Sequence, residues 1–153
     1  MLSNQDTHKP TLTPGQLRRV HHIALNVRDM ETSRHFYGDI LGLYQLKGKE
    51  VPSTLKELVV AGKVTNFIMP DGTILDLFWE PELSPPHPNP RHQFTRANHL
   101  AFDIAPELFD AAVEVLKHHQ VTIDHGPVTR PTGRGIYFYD PDGFTIEIRC
   151  DPS

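Results

Sequence analysis

Residues 19–27 read RVHHIALNV and residues 96–104 read RANHLAFDI. In both, apolar residues alternate with small or polar ones, the period of a strand that buries one face. Ile23, Leu25 and Val27 share a face in the first; Leu100, Phe102 and Ile104 share a face in the second. A histidine, His22 or His99, sits on the opposite face of each. His21 falls on the apolar side or at the strand's end and is given no role.

Each strand opens the same succession of elements. After Asp29, a candidate N-cap, METSRHFYGDILGL carries Phe36, Tyr37, Ile40 and Leu41 at helical spacing and closes on Gly42. In the second half Pro106 to His119 puts Phe109, Ala112, Val113 and Leu116 on one helical face. Strands are predicted around LKELVVA, VTNFIM and TILDLFW in the first half, with Pro70-Asp71-Gly72 as a turn. The second half offers VTIDHG, RGIYFYD and FTIEIRC, with Asp140-Pro141-Asp142-Gly143 turning the last pair. The chain thus reads as a 1–17 flexible arm, a βαβββ module over 18–80, a Pro-rich strap over 81–95 and a second βαβββ module over 96–153. His22 aligns with His99 at an offset of 77, and Asp71-Gly72 with Asp142-Gly143 at an offset of 71, so the halves match at both ends. The strap's prolines favour extended, stiff backbone.

A chain of 153 residues with 38% hydrophobic content can bury one core shared by two small modules. The net charge of −4, with both signs interspersed, gives no electrostatic footprint for nucleic acid. No apolar run approaches the ~20 residues needed to span a bilayer, and MLSNQDTHKP has no charged-then-apolar leader, so no membrane partner is expected. A lone cysteine, Cys150, rules out an intrachain disulfide framework and fits a reducing cytoplasmic compartment. It shares parity with Ile146 and Ile148, as a core thiol would.

Parity places the chemistry. The apolar face of each opening strand must meet its module's helix, which turns His22 and His99 toward a concave face. On the closing strands Phe144, Ile146 and Ile148 face the helix and leave Glu147 on the concave side, while Leu75, Leu77 and Trp79 leave Asp76 and Phe78 there. Each module thus offers one imidazole and one carboxylate. Together these form a mixed nitrogen and oxygen donor set for a divalent metal, with positions left open for two neighbouring substrate oxygens. Ligating imidazoles must be neutral, so binding should weaken below pH ~6. A single strand histidine is ordinarily a surface or satisfied residue; its duplication together with an acid is what points to a site. Asp76, one methylene shorter than Glu147, is the weakest member. Tyr137 and Phe78 are candidate substrate contacts on the strands, and Arg134, beside a Gly-containing loop with Arg130, is a candidate guide for an anionic substrate.

The segments HHIALNVRDMETSRHFYGDILGL, NHLAFDI and YFYDPDGFTIEIR resemble the vicinal oxygen chelate superfamily of glyoxalases, bleomycin resistance proteins and extradiol dioxygenases, over residues 18–151. The resemblance implies an α+β fold in which two βαβββ modules form an incompletely closed, U-shaped mixed β barrel around a metal. Positions matching the family's ligands are His22, His99 and Glu147, with Asp76 where glyoxalase I has a second acid; an aspartate there departs from the usual glutamate or glutamine. It further implies a metal-dependent glyoxalase-like lyase or isomerase with one divalent metal ion per site (Ni, Zn, Mn or Fe) and Glu147 as catalytic base. An iron(II) extradiol dioxygenase is an alternative that needs a further acid/base histidine, and His87, His92, His118, His119 and His125 fall on the strap, a helix end or a loop. A non-enzymatic drug-binding protein is another, one that generally lacks the ligand set. A small-molecule substrate and a homodimer are implied, with the cleft forming within or between chains.

Overall fold

The computed structural model of the protein describes residues 10–92 and 98–153. Residues 10–20 are exposed and belong to no strand or helix; the rest of the predicted arm, and the junction of strap and second module at 93–97, lie outside the described residues. Strand β1 (His22–Val27) pairs in parallel with β4 (Ile74–Trp79), which pairs antiparallel with β3 (Val64–Ile68), and β3 with the two-residue β2 (Tyr44–Gln45). In the second half β5 (His99–Asp103) is parallel to β8 (Thr145–Cys150), followed outward by β7 (Gly133–Tyr139) and β6 (Ile123–Arg130). The result is two mixed sheets ordered β1-β4-β3-β2 and β5-β8-β7-β6. The strand positions repeat, but no ladder joins the sheets, so one chain does not close a barrel.

One predicted strand is a helix. LKELVVA forms α2 (Lys56–Val60), in which the Ala61 N–H bonds the Glu57 carbonyl at 3.0 Å, and the strand's place is taken by β2. Its valines suggest β structure, but Val60 is 88% exposed, so no sheet face claims it. Pro52 ahead and Gly62 behind, the latter at φ 73, punctuate the segment as a short helix instead.

The first predicted helix divides in two. Asp29 caps α1 (Met30–Arg34) by accepting from the Thr32 N–H at 2.9 Å. A π-helical turn, His35–Ile40, follows, in which Leu41 N–H reaches back five residues to the Phe36 carbonyl at 2.9 Å. Both Phe36 and Tyr37 are buried in it. The later helix α3 (Phe109–His118) follows a 3₁₀ turn at Pro106–Leu108 and buries Phe109, Val113 and Leu116, the face read from the sequence.

The core is shared. Tyr37, Phe67, Leu75 and Leu77 belong to one cluster with Phe109, Phe138, Ile146 and Ile148. At about 1.5–3 kcal/mol for each large apolar side chain removed from water, this cluster holds the modules together. Cys150 is buried in it as a free thiol. At the joint Phe36 meets Phe138 with ring centroids 6.2 Å apart, Tyr37 donates its hydroxyl hydrogen to Asp140 at 2.6 Å, and Arg28 N–H donates to Asp142 at 3.1 Å. Asp140 also accepts from the Asp142 and Phe144 N–H groups, as a turn aspartate should. Its burial pushes its carboxyl up to about 6, against the pull of those hydrogen bonds.

Candidate metal centre

The two sheets set their polar groups in one register. His22 lies opposite Ile74 and Ala24 opposite Asp76; His99 lies opposite Thr145 and Ala101 opposite Glu147. Each acid therefore sits diagonally across from its histidine, on the same face. A small alanine beside each acid keeps that face open. The next strand brings Asn66 opposite Asp76 and Tyr137 opposite Glu147.

In module two the pair is made. His99 Nε2 stands 2.9 Å from Glu147 Oε2, with side-chain exposures of 26% and 13%. The carboxylate occupies space that only glycine leaves: a Cβ on Gly135 would lie 3.0 Å from Glu147 Oε1. Tyr137 packs edge-on to His99, with ring centroids 5.6 Å apart. In module one Asp76 is buried and accepts from Asn66 Nδ2 at 2.5 Å, while His22 is exposed and its Nδ1 is 3.0 Å from Nδ1 of His21.

Among the described residues two buried side-chain atoms have no hydrogen-bond partner, Asn66 Oδ1 and His99 Nδ1. Each belongs to the residue that touches the module's acid. Since an unmet buried polar atom costs about 1–3 kcal/mol, both faces are polar surfaces left incomplete within one chain. The four predicted ligands do not meet there: among the described residues no group of three or more His, Cys, Asp or Glu side chains comes within reach of a common ion. His99 and Glu147 do fit a divalent metal. They present an imidazole nitrogen and a carboxylate oxygen toward one opening, a hard and borderline donor pair suited to such ions.

Of the predicted substrate contacts, Tyr137 is beside the pair and Phe78 shares its sheet face with Asp76. Arg134 is a correction. Strand β7 begins at Gly133, so Arg134 has the parity of buried Ile136 and Phe138 and points to the helix side. There it bonds Asp110 at 2.8 Å and lies 4.4 Å over the Phe109 ring.

His125 is the second correction. It is not in a loop but on β6, stacked on Tyr137 with centroids 4.2 Å apart and planes 13° from parallel. Pro127, joined to Gly126 by a cis peptide, made the strand look finished; β6 is an edge strand, where a proline is tolerated and the register shifts around it. Beside it Asp124 accepts from Arg91 Nε at 2.7 Å, from the Tyr139 hydroxyl and from His125 Nδ1 at 2.5 Å. Burial raises the Asp124 carboxyl, but these hydrogen bonds outweigh it and bring it down to about 2. Arg91 belongs to a 3₁₀ turn of the strap, so the strap is pinned to the second sheet.

The family model of the Glyoxalase/Bleomycin resistance protein/Dioxygenase superfamily matches residues 19–148. The chain belongs to that superfamily. It is 33% identical over 134 residues to the metallothiol transferase FosB of Staphylococcus epidermidis, covering 87% of this chain and 82% of that one. The crystal structure of a glyoxalase/dioxygenase from Nostoc punctiforme is 69% identical, with a TM-score of 0.90, covering 96% of this chain and all of that one. A mutant of the fosfomycin resistance protein FosX from Listeria monocytogenes, complexed with Mn(II) and 1S,2S-dihydroxypropylphosphonic acid, is similar at 23% identity and a TM-score of 0.63, over 89% of this chain and 94% of that one. That likeness carries the fold alone. Among the described residues no helix is long and apolar enough to cross a membrane.

Proposed function

We propose that this chain is a divalent-metal-dependent enzyme acting on a small molecule held through two neighbouring oxygens, of the glyoxalase-like lyase or isomerase type. His99 and Glu147 of one copy bind the metal, and a second copy supplies His22, with Asp76 behind it. The supporting observation is the repeated register. Each module carries a histidine and an acid on its open face, yet one chain gathers only the second pair. A two-fold dimer that lays the first sheet of each copy against the second sheet of the other builds two identical sites at once.

The bound metal supplies Lewis acidity to the substrate's two oxygens. Glu147 is the group in place to move a proton there: its longer side chain reaches His99, and Gly135 leaves its carboxylate room to shift. Asp76, held by Asn66, is a fixed donor or positioning group. Tyr137 and Phe78 form the walls, and a cytoplasmic setting fits the free Cys150. FosB, named a metallothiol transferase, brings thiol addition into the same class of metal-held substrates. Ring cleavage with iron(II) is a second reading, favoured by one observation: an imidazole, His125, does lie beside Tyr137.

Mixing His22→Ala with His99→Ala protein tests the shared site. Neither variant alone should retain Mn(II), but a heterodimer contains one intact site, so random reassortment restores about a quarter of wild-type metal. No restored metal, or sedimentation of the wild type as a monomer only, would end the two-chain proposal. Metal content and oxygen uptake with catechol separate the two chemistries: iron with uptake supports ring cleavage, and nickel, zinc or manganese without uptake supports the lyase.

A further inference from the structure

His125 and Asp124 belong to no ligand set, yet the second sheet holds them with more hydrogen bonds than any surface pair requires. Asp124, brought down to about 2, is ionised at neutral pH and can only accept. The proton it shares with His125 therefore sits on Nδ1, which leaves Nε2 of the neutral ring bare and ready to accept. The ring cannot swing freely, because it is stacked on Tyr137 at 4.2 Å, and Tyr137 in turn meets the His99 ring at 5.6 Å. A narrow recess bounded by Arg91, His125, Tyr137 and Thr145 runs back to the first strand position, since Thr145 is the cross-strand partner of His99. The charged and titratable groups around His125 are Asp124, Arg91, Tyr137 and Tyr139, and the positive charge of Arg91 is already matched by Asp124.

We propose that His125 is the proton acceptor for a hydroxyl of the substrate held at His99 and Glu147, with Asp124 as its positioning residue, an inference that rests on the function proposed above. In that step the substrate O–H bond breaks, its electron pair stays on oxygen, and an N–H bond forms at His125 Nε2. The resulting imidazolium is countered by Asp124, and the reverse transfer returns the proton to product. Arg91 and Tyr139 keep the carboxylate aimed. A purely structural Asp124, serving only to pin the strap, would not need an imidazole as its third donor.

The probe is 4-nitrocatechol, whose two adjacent hydroxyls mimic a vicinal-oxygen substrate and whose colour reports their ionisation. With Mn(II)-loaded full-length protein, the wild type should bind it doubly ionised at a pH where the free compound is singly ionised. His125→Gln should hold Mn(II) as the wild type does but bind the compound singly ionised and about tenfold more weakly, the equivalent of one pKa unit. Nitrogen NMR of metal-free protein gives an independent readout: His125 should carry its proton on Nδ1 in the wild type and lose that preference in Asp124→Asn. An unchanged spectrum and affinity in His125→Gln, or a wild-type proton on Nε2, overturns the inference. Failure of the wild type to retain Mn(II) would instead strike the proposed function, and the NMR result would still decide the state of His125.

Discussion

The open faces of the two modules have the same layout and different chemistry. On the second, Glu147 reaches His99 and is flanked by Tyr137; on the first, Asp76 falls short and is taken by the Asn66 amide at 2.5 Å. One methylene and one amide separate them. An amide donor commits a carboxylate oxygen to a neutral hydrogen bond, whereas a carboxylate paired with imidazole can exchange that partner for a cation. On the proposed function, metal is recruited by the second module, and the first contributes the closing donor, His22. Duplication has kept the positions and let the two faces specialise.

The largest test of this asymmetry is metal retention. Glu147→Ala should lower divalent metal affinity by at least about 100-fold in equilibrium dialysis, and His99→Ala should do the same while leaving the far-UV circular dichroism unchanged. Asp76→Asn should cost less than about tenfold; equal losses for the two acids would erase the distinction drawn between the faces.

Next come two equivalent glycines, Gly62 and Gly133. A Cβ on Gly133 would sit 1.9 Å from the Cys150 carbonyl oxygen at φ +127, whereas one on Gly62, at φ +73, meets nothing within 4 Å. Urea unfolding should show Gly133→Ala destabilised by about 3 kcal/mol or more, and Gly62→Ala by about 1 kcal/mol. A reversed order would mean that the start of β7 is not packed as described.

A smaller effect separates Asp140 from Met69, its counterpart in the first module, which cannot ionise. The folded-state value of Asp140 is raised from 3.8 to about 6. Its stabilising contribution is therefore full below pH ~4, declines as pH rises toward ~6 and is gone above, an effect on the order of 3 kcal/mol at most. Asp124, brought down to about 2, acts in the other direction: its contribution holds above pH ~4 and is lost only as pH falls below that. Unfolding measured between pH 4 and 7 should show a downward slope in the wild type that is flatter in Asp140→Asn. An unchanged slope would detach the joint from this carboxylate.

Much of this was legible in the sequence because strand alternation is strict where one face is buried. RVHHIALNV, NHLAFDI and FTIEIRC gave both histidines and both acids the right faces, and DPDG marked the closing hairpin. What escaped was set by tertiary contacts. The valines of LKELVVA suggested β structure, but no sheet needs them. Arg134 changed sides because β7 begins a few residues earlier than its apolar run, and His125 was hidden by a proline that an edge strand tolerates. Nor does any local pattern announce that Asp140, an ordinary turn residue by spacing, receives the hydroxyl of Tyr37 from 103 positions away.

The π-helical turn at His35–Ile40 holds one residue more than an α-helix would need for the same advance. That surplus lets two consecutive aromatic side chains point inward, one against Phe138 and the other against Asp140. Removing a single residue there would restore ordinary winding and rotate everything after it by roughly 100°. The halves of the molecule would then lose their common hinge pin, although every strand kept its own neighbours.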